Sequence, residues 1–171
     1  MDADYLNELA EAEMPRVYTA LNAIQNTGYR VDYQMVDTLK HCWDKGLPVG
    51  GLPSMEDDPL PPKPADINTD KESRRAWRKS AARVHFDNER LKSKRLQVMK
   101  VMHLAGKFEH DKIWFPASLD FRGREYPIPY FLQPQGPEWA KSLLSFSRTE
   151  KITDEGIIWL YIHAASRWGL D

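Results

Sequence analysis

The chain has 171 residues, 24 Lys and Arg against 25 Asp and Glu, a formal net charge of −1 and a mean hydropathy of −0.62. That length allows one substantial core but not two full domains, and so even a balance of charge designates no partner by itself. Cys42 is the only cysteine, which excludes an internal disulfide and suits a reducing interior; with no 18-residue apolar run and no basic-then-apolar start, a soluble cytoplasmic protein without membrane contact is expected.

Taken in chain order, Leu6, Ala10, Met14, Val17, Leu21 and Ile24 recur at spacings of four and three, the stripe of an amphipathic helix that Pro15 begins or kinks. Thr27 and Gly28 interrupt it. Asp32 reads as an N-cap with Val31 and Val36 as a hydrophobic staple, opening a helix through Met35, Leu39 and Trp43 that Gly46 and Pro48 end. Residues 46–68 combine prolines, glycines and the acidic Glu56–Asp58, which predicts a mobile loop rather than a packed element.

Thr69 and Glu72 have the spacing of a capping box. After them Trp77, Ala81, Val84, Leu91, Val98, Met102 and Ala105 keep a helical rhythm with no glycine or proline until Gly106. A helix of this length would span roughly 55 Å at 1.5 Å per residue, too long to lie wholly over a small core, so part of it should stand clear. Asn88 and Arg95 fall on its apolar seam, which argues against a plain coiled coil. From Lys71 to Lys112 there are thirteen Lys and Arg against five acids, whereas Gly51 to Asp70 has one lysine against five acids. A solvated exposed face accounts for many charge-rich helices, but here acids are too few for pairing within the helix. Arg74, Arg75, Arg78, Lys79, Arg83, Arg90, Lys92, Lys94 and Arg95 therefore point to an external polyanion, with Arg78, Lys79, Arg83, Lys94 and Arg95 selected as the contact candidates.

Beyond Gly106, aromatics and prolines predict strands and tight connections, with IWF and EYPIPYF strand-like and Lys141–Phe146 a short helix or strand. The segment WFPASLDFRGREYPIP at Trp114–Pro129 sets Arg122 and Arg124 around Gly123. Gly123 permits turn dihedrals closed to other residues, Asp120 is spaced to orient a guanidinium, and a guanidinium fork fits phosphate oxygens. A surface β-turn closed by an Asp–Arg pair accounts for the same residues. Thr153 then caps a final helix with Asp154 and Glu155 in its first turn and Ile157, Leu160, Tyr161, Ala164 and Trp168 on its apolar face. His103, Glu109, His110 and Asp111 lack the spacing of a zinc site, and Cys42 beside His41 lacks the third group of a nucleophile. His163, on the final helix beside the apolar stripe, reads as a core or second-layer histidine.

DFRGREYPIP, preceded by WFP and followed by QPQG at Gln133–Gly136 and by Lys141, resembles the single-subunit DNA-directed RNA polymerases of the bacteriophage and mitochondrial type. ALNAIQNTGYRVD at Ala20–Asp32, AWRKSAARV at Ala76–Val84 and EGIIWLYIHAA at Glu155–Ala165 extend the resemblance over most of the chain, in the family's order. It implies a helical lead-in over 1–19, a thumb-like subdomain over 20–110 carrying the Pro-rich acidic loop, and the start of a palm over 111–171. The fold class implied is mainly α (α+β): a long-helix thumb hairpin, a small antiparallel β unit and a palm helix, part of a right-hand polymerase.

The resemblance also implies partners and roles. The thumb would follow the template DNA and the RNA–DNA hybrid, Arg122 and Arg124 would contact the nucleic-acid backbone with Asp120, Gly123 and Tyr126 holding them, and Lys141 would extend the same track. His163 would lie near the active cleft. Catalysis in that family needs Mg2+ held by aspartates in motifs beyond those matched, so no metal or catalytic residue is expected here, and the rest of the palm and fingers is an expected partner. The implied setting is the host cytoplasm for a phage source. A stand-alone or remnant polyanion-binding module without chemistry, or a purely structural helical protein, remains the competing reading.

Overall fold

The computed structural model describes residues 3–169; Leu170 and Asp171 of the predicted closing segment lie outside them. The elements run α1 (Ala3–Glu11), α2 (Pro15–Gln25), β1 (Tyr29–Val31), α3 (Tyr33–Asp44), α4 (Lys71–Lys107), β2 (Ala117–Leu119), β3 (Glu125–Pro127), α5 (Glu138–Lys141), β4 (Leu144–Phe146) and α6 (Asp154–Trp168). The protein is mostly helical, with one long helix and two small antiparallel sheets. Pro15 divides the first stripe: it occupies the start of α2, where its missing N–H costs no hydrogen bond.

The cap predicted at Asp32 forms, its Oδ1 accepting the Met35 N–H at 3.1 Å, and both staple residues Val31 and Val36 are buried. At the other end, Gly46 N donates to Trp43 O and Leu47 N to Cys42 O, the paired closure that satisfies the last carbonyls of α3. The cap of α4 falls one residue later than Thr69. Asp70 takes it, accepting the N–H groups of Glu72 and Ser73, and these bonds, led by Ser73, hold its carboxyl below the usual range. Asp outcompetes Thr because its two oxygens satisfy two orphan amides where a hydroxyl would satisfy one.

One core joins the parts. Val36 and Leu39 of α3 pack with Val98, Val101 and Ala105 of α4, and with Leu132, Trp139, Ala140 and Leu143 from the later segment. Val98, Val101 and Leu143 are wholly enclosed. The core therefore grips only the last third of α4, and the rest of the helix stands clear of it. Two sheets flank it. β1 pairs with β4 in the register Tyr29↔Phe146, Arg30↔Ser145, Val31↔Leu144, and β2 pairs with β3 as a hairpin. β1 was not anticipated from sequence, and Lys141–Phe146 contains both a helical turn and a strand.

The expected helical hairpin is modest, since α3 is short and the core in which it meets α4 takes in only Val98, Val101 and Ala105 of that helix, leaving the outer part to another partner. The partner there is the loop 46–68, which is strapped along the seam rather than free. Leu52 is buried. Arg95 donates to Ser54 O, Glu56 O and Asp57 Oδ1, each at 2.7 Å, and Asn88 accepts from Asp58 N at 2.8 Å while donating to Asp58 O at 3.0 Å. Trp77 Nε1 donates to Pro61 O, and Arg74 to Ile67 O and Asn68 O. A prolyl loop lacks the N–H groups to build a ladder, so its carbonyls are satisfied by side chains of the helix. The combined substitution Asn88→Ala, Arg95→Met should make residues 46–68 several-fold more sensitive to limited proteolysis with the helical circular dichroism retained; Lys79→Ala should leave the cleavage rate unchanged.

Candidate nucleic-acid interface

The β2–β3 hairpin turns through Asp120–Arg124. Gly123 adopts φ +76°, and a Cβ there would meet nothing within 4 Å, so its requirement is the left-handed backbone rather than space. Asp120 N donates to Arg124 O and Gly123 N to Asp120 O, both at 2.9 Å. The Asp120 side chain fixes the remainder: Oδ1 accepts the N–H groups of Arg122 at 2.8 Å and Arg124 at 3.0 Å, and Oδ2 accepts Nη2 of Arg122 at 2.8 Å and Nε at 3.0 Å. These donors, led by the Arg124 amide and including Tyr126, hold the Asp120 carboxyl below its ordinary value.

The two arginines differ in what this leaves free. Arg122 is clamped by Asp120, half exposed, and lies over the Phe121 ring at 5.3 Å, while that ring is 95% exposed. The Arg124 guanidinium is exposed and meets no protein partner among the described residues. One fork is thus preset and the other available, and neither is buried against protein acids. Tyr126 is also partly exposed. On the far side of β3, Gln135 Nε2 donates to Glu125 O at 3.1 Å and Oε2 at 2.9 Å, so the QPQG segment braces the hairpin.

On α4 the predicted basic residues separate into two groups. Arg95 is turned into the strap, its side chain only 16% exposed, and is not available as expected for an external polyanion. Arg78, Lys79 and Lys94 are exposed without protein partners among the described residues, and Arg83 has only a 3.9 Å pairing with Asp87. At 100° per residue, Arg75, Lys79, Arg83 and Arg90 fall on the face opposite the strap, with Phe86 among them and Arg90 over its ring at 5.9 Å. Arg75 and Arg90 belong with the candidates; a helical wheel drawn with the loop on one side would have selected them ahead of Arg95.

Lys141 pairs with Glu138 at 2.8 Å, and that contact, with Arg167 adding to it, holds the Glu138 carboxyl below its ordinary value. His163 is exposed on α6 rather than in a core. Its neighbours Ile158, Trp159, Leu160, Tyr161 and Ile162 are exposed as well, so the apolar face of α6 has no cover among the described residues. No group of three or more His, Cys, Asp and Glu that could hold a metal ion occurs among the described residues, and no helix there is long and apolar enough to cross a membrane.

A depressed carboxyl pKa stabilises the fold above its unfolded value of about 3.9, and that contribution disappears as pH falls through the lower folded-state value. The Arg122 and Arg124 amide resonances should therefore keep their folded positions down through the ordinary carboxylate range and move only below it. In Asp120→Asn that low-pH transition should be absent from both amides.

The chain is 38% identical over 173 residues to the DNA-directed RNA polymerase of Enterobacteria phage K11, covering 97% of this chain and 18% of that protein. It is 37% identical over 165 residues to T7 RNA polymerase of Escherichia phage T7, covering 92% and 18%, and 29% identical over 166 residues to the mitochondrial DNA-directed RNA polymerase of Neurospora crassa, covering 95% and 12%. The chain thus spans less than a fifth of the length of these relatives. No family model matches it.

Proposed function

We propose, on the premise that the chain is homologous along nearly its whole length to one segment of the phage and mitochondrial DNA-directed RNA polymerases, that it is a nucleic-acid-gripping part of such an enzyme. In this reading residues 20–110 act as a thumb and residues from 111 onward as the start of a palm, and the bound species are template DNA and the RNA–DNA hybrid. The observation that carries it is the hairpin. An aspartate presets one guanidinium and leaves a second exposed beside it, in the motif by which the sequence resembles that family.

The division of labour follows from the chemistry of the two forks. Arg124 offers an exposed fork that can engage phosphate oxygens through two parallel N–H bonds. Arg122, held by Asp120 and backed by Phe121, contributes positive potential and a fixed orientation at lower entropic cost on binding. The strap-free face of α4 supplies a line of cations, Arg75, Lys79, Arg83 and Arg90, spaced for a phosphate track, with Phe86 as an apolar contact for sugar or base. Such contacts neutralise phosphates and release counterions, so affinity should fall steeply with salt. In the complete enzyme Mg2+ would supply the nucleotidyl-transfer chemistry; the residues described here would bind and orient the strand.

Titration of an RNA–DNA hybrid at increasing salt tests the reading. The log–log slope should be steep, should drop by about one unit in Arg124→Ala and in Lys79→Ala, and should be unchanged in Arg95→Met, whose guanidinium serves the strap. An unaltered slope in Arg124→Ala would remove the hairpin from the interface. Equal affinity for heparin and for the hybrid would favour a general polyanion-binding module instead.

A further inference from the structure

A separate cleft of about 410 Å3 opens beside the β1–β4 pair, where Thr27, Gly28, Lys112, Phe146, Ser147 and Arg148 meet. None of its lining residues belongs to the Asp120–Arg124 turn or to α4. Three distant stretches of chain form it, and backbone hydrogen bonds fix them to each other: Tyr29 N to Ile113 O at 2.8 Å, Ile113 N to Tyr29 O at 2.9 Å, and Ser147 N to Gly28 O at 2.8 Å. The floor is Gly28. A Cβ built there would come within 2.3 Å of Lys112 Cε and 2.6 Å of Ser147 Oγ, so the absence of a side chain lets the lysine stem cross the backbone and sets its ammonium at the cleft.

The lining offers three kinds of contact. Lys112 and Arg148 outnumber the single carboxylate, Glu150, and the Arg148–Glu150 pair is 86% and 76% exposed, a pairing weak enough for an incoming anion to displace. Phe146 is 60% exposed at the cleft, with its ring beside that of Tyr29 at a centroid distance of 5.2 Å and a 34° tilt. Ser147 presents a hydroxyl with no protein hydrogen bond among the described residues, beside Thr27, whose hydroxyl already donates to Ala23 O and so presents acceptor lone pairs. The volume suits a small organic ligand better than a bare anion.

We propose that this cleft binds a nucleoside monophosphate unit, free or within a single strand, with Lys112 and Arg148 on the phosphate and Phe146 stacked on the base. Cations alone would accept any anion; an exposed aromatic face beside them selects an anion that carries a planar ring. The Lys112 ammonium also lies 5.1 Å from the Trp114 ring, which steadies it without neutralising it. The site does not depend on the role proposed for the hairpin.

The test is NMR titration of the chain with adenosine monophosphate, adenosine, inorganic phosphate and a short oligoadenylate. Adenosine monophosphate should shift the Gly28, Phe146 and Ser147 amides and bind about tenfold or more tightly than phosphate or adenosine. Gly28→Ala, which keeps every charge but displaces the lysine stem, should weaken it about tenfold, as should Lys112→Met, a change at the surface that does not threaten folding. Arg124→Ala should have no effect. Tighter binding of the oligoadenylate identifies the ligand as a strand, and equal binding identifies a free nucleotide; either supports the site. No shift at these amides, equal affinity for inorganic phosphate, indifference to Lys112→Met, or loss of binding in Arg124→Ala would each overturn it.

Discussion

A helix of 37 residues can be held by a small core over only part of its length, and the remainder needs another partner along its apolar seam. The arrangement of α4 follows from that constraint. Its last third is enclosed by Val36, Leu39, Trp139 and Leu143, and its outer part is served by the loop 46–68. Along the outer part the strap occupies one side of the helix, and Arg75, Lys79, Arg83 and Arg90 lie on the other. The lopsided charge of the sequence becomes a directional surface only once the strap is in place, since Arg74, Arg95 and Asn88 are drawn to one side while Arg75, Lys79, Arg83 and Arg90 remain on the other.

The hairpin solves a different problem on a smaller scale. Two guanidiniums two residues apart repel each other and would disorder a bare turn. A single carboxylate, with Oδ1 accepting both arginine amides and Oδ2 taking the Arg122 fork, removes that freedom and offsets part of the charge. Having accepted these bonds, Asp120 makes none with the side chain of Arg124. The asymmetry between a preset arginine and an available one is therefore a consequence of having one acid for two bases, and a second acid in the turn would erase it.

Local signals were legible in the sequence where the partner lies within one helical turn. The Asp32 cap, its staple, the Thr153 cap and the long uninterrupted rhythm of α4 all depend on residues three to five apart. Even the misplaced cap at Thr69 is a competition between neighbours. What sequence reading could not reach were pairings across distance. Asn88 and Arg95 looked like faults in an apolar seam because their partners, Asp58 and the Ser54–Asp57 stretch, lie 30 to 41 residues away. β1 is three residues long and is a strand only because Leu144–Phe146 returns beside it. Of the candidate site, the Asp-x-Arg-Gly-Arg turn was readable because the turn is local; which cations of α4 stay free was not, because the strap decides it.

The same long-range pairing bears on how the motifs cooperate. Sequence character changes near residue 110, yet β1 from before that point pairs with β4 from after it, and Tyr29 packs edge-on to Phe115 and against Phe146. Burial, with the Glu125 carboxylate adding to it, raises the Tyr29 hydroxyl pKa, so this tyrosine remains neutral at the junction. α4 enters the shared core through Val98, Val101 and Ala105, beside Trp139 and Leu143. The hairpin is tied in by a separate route, through the Ala117 N–H donated to Gln25 Oε1 of α2 and through Phe115 against Tyr29.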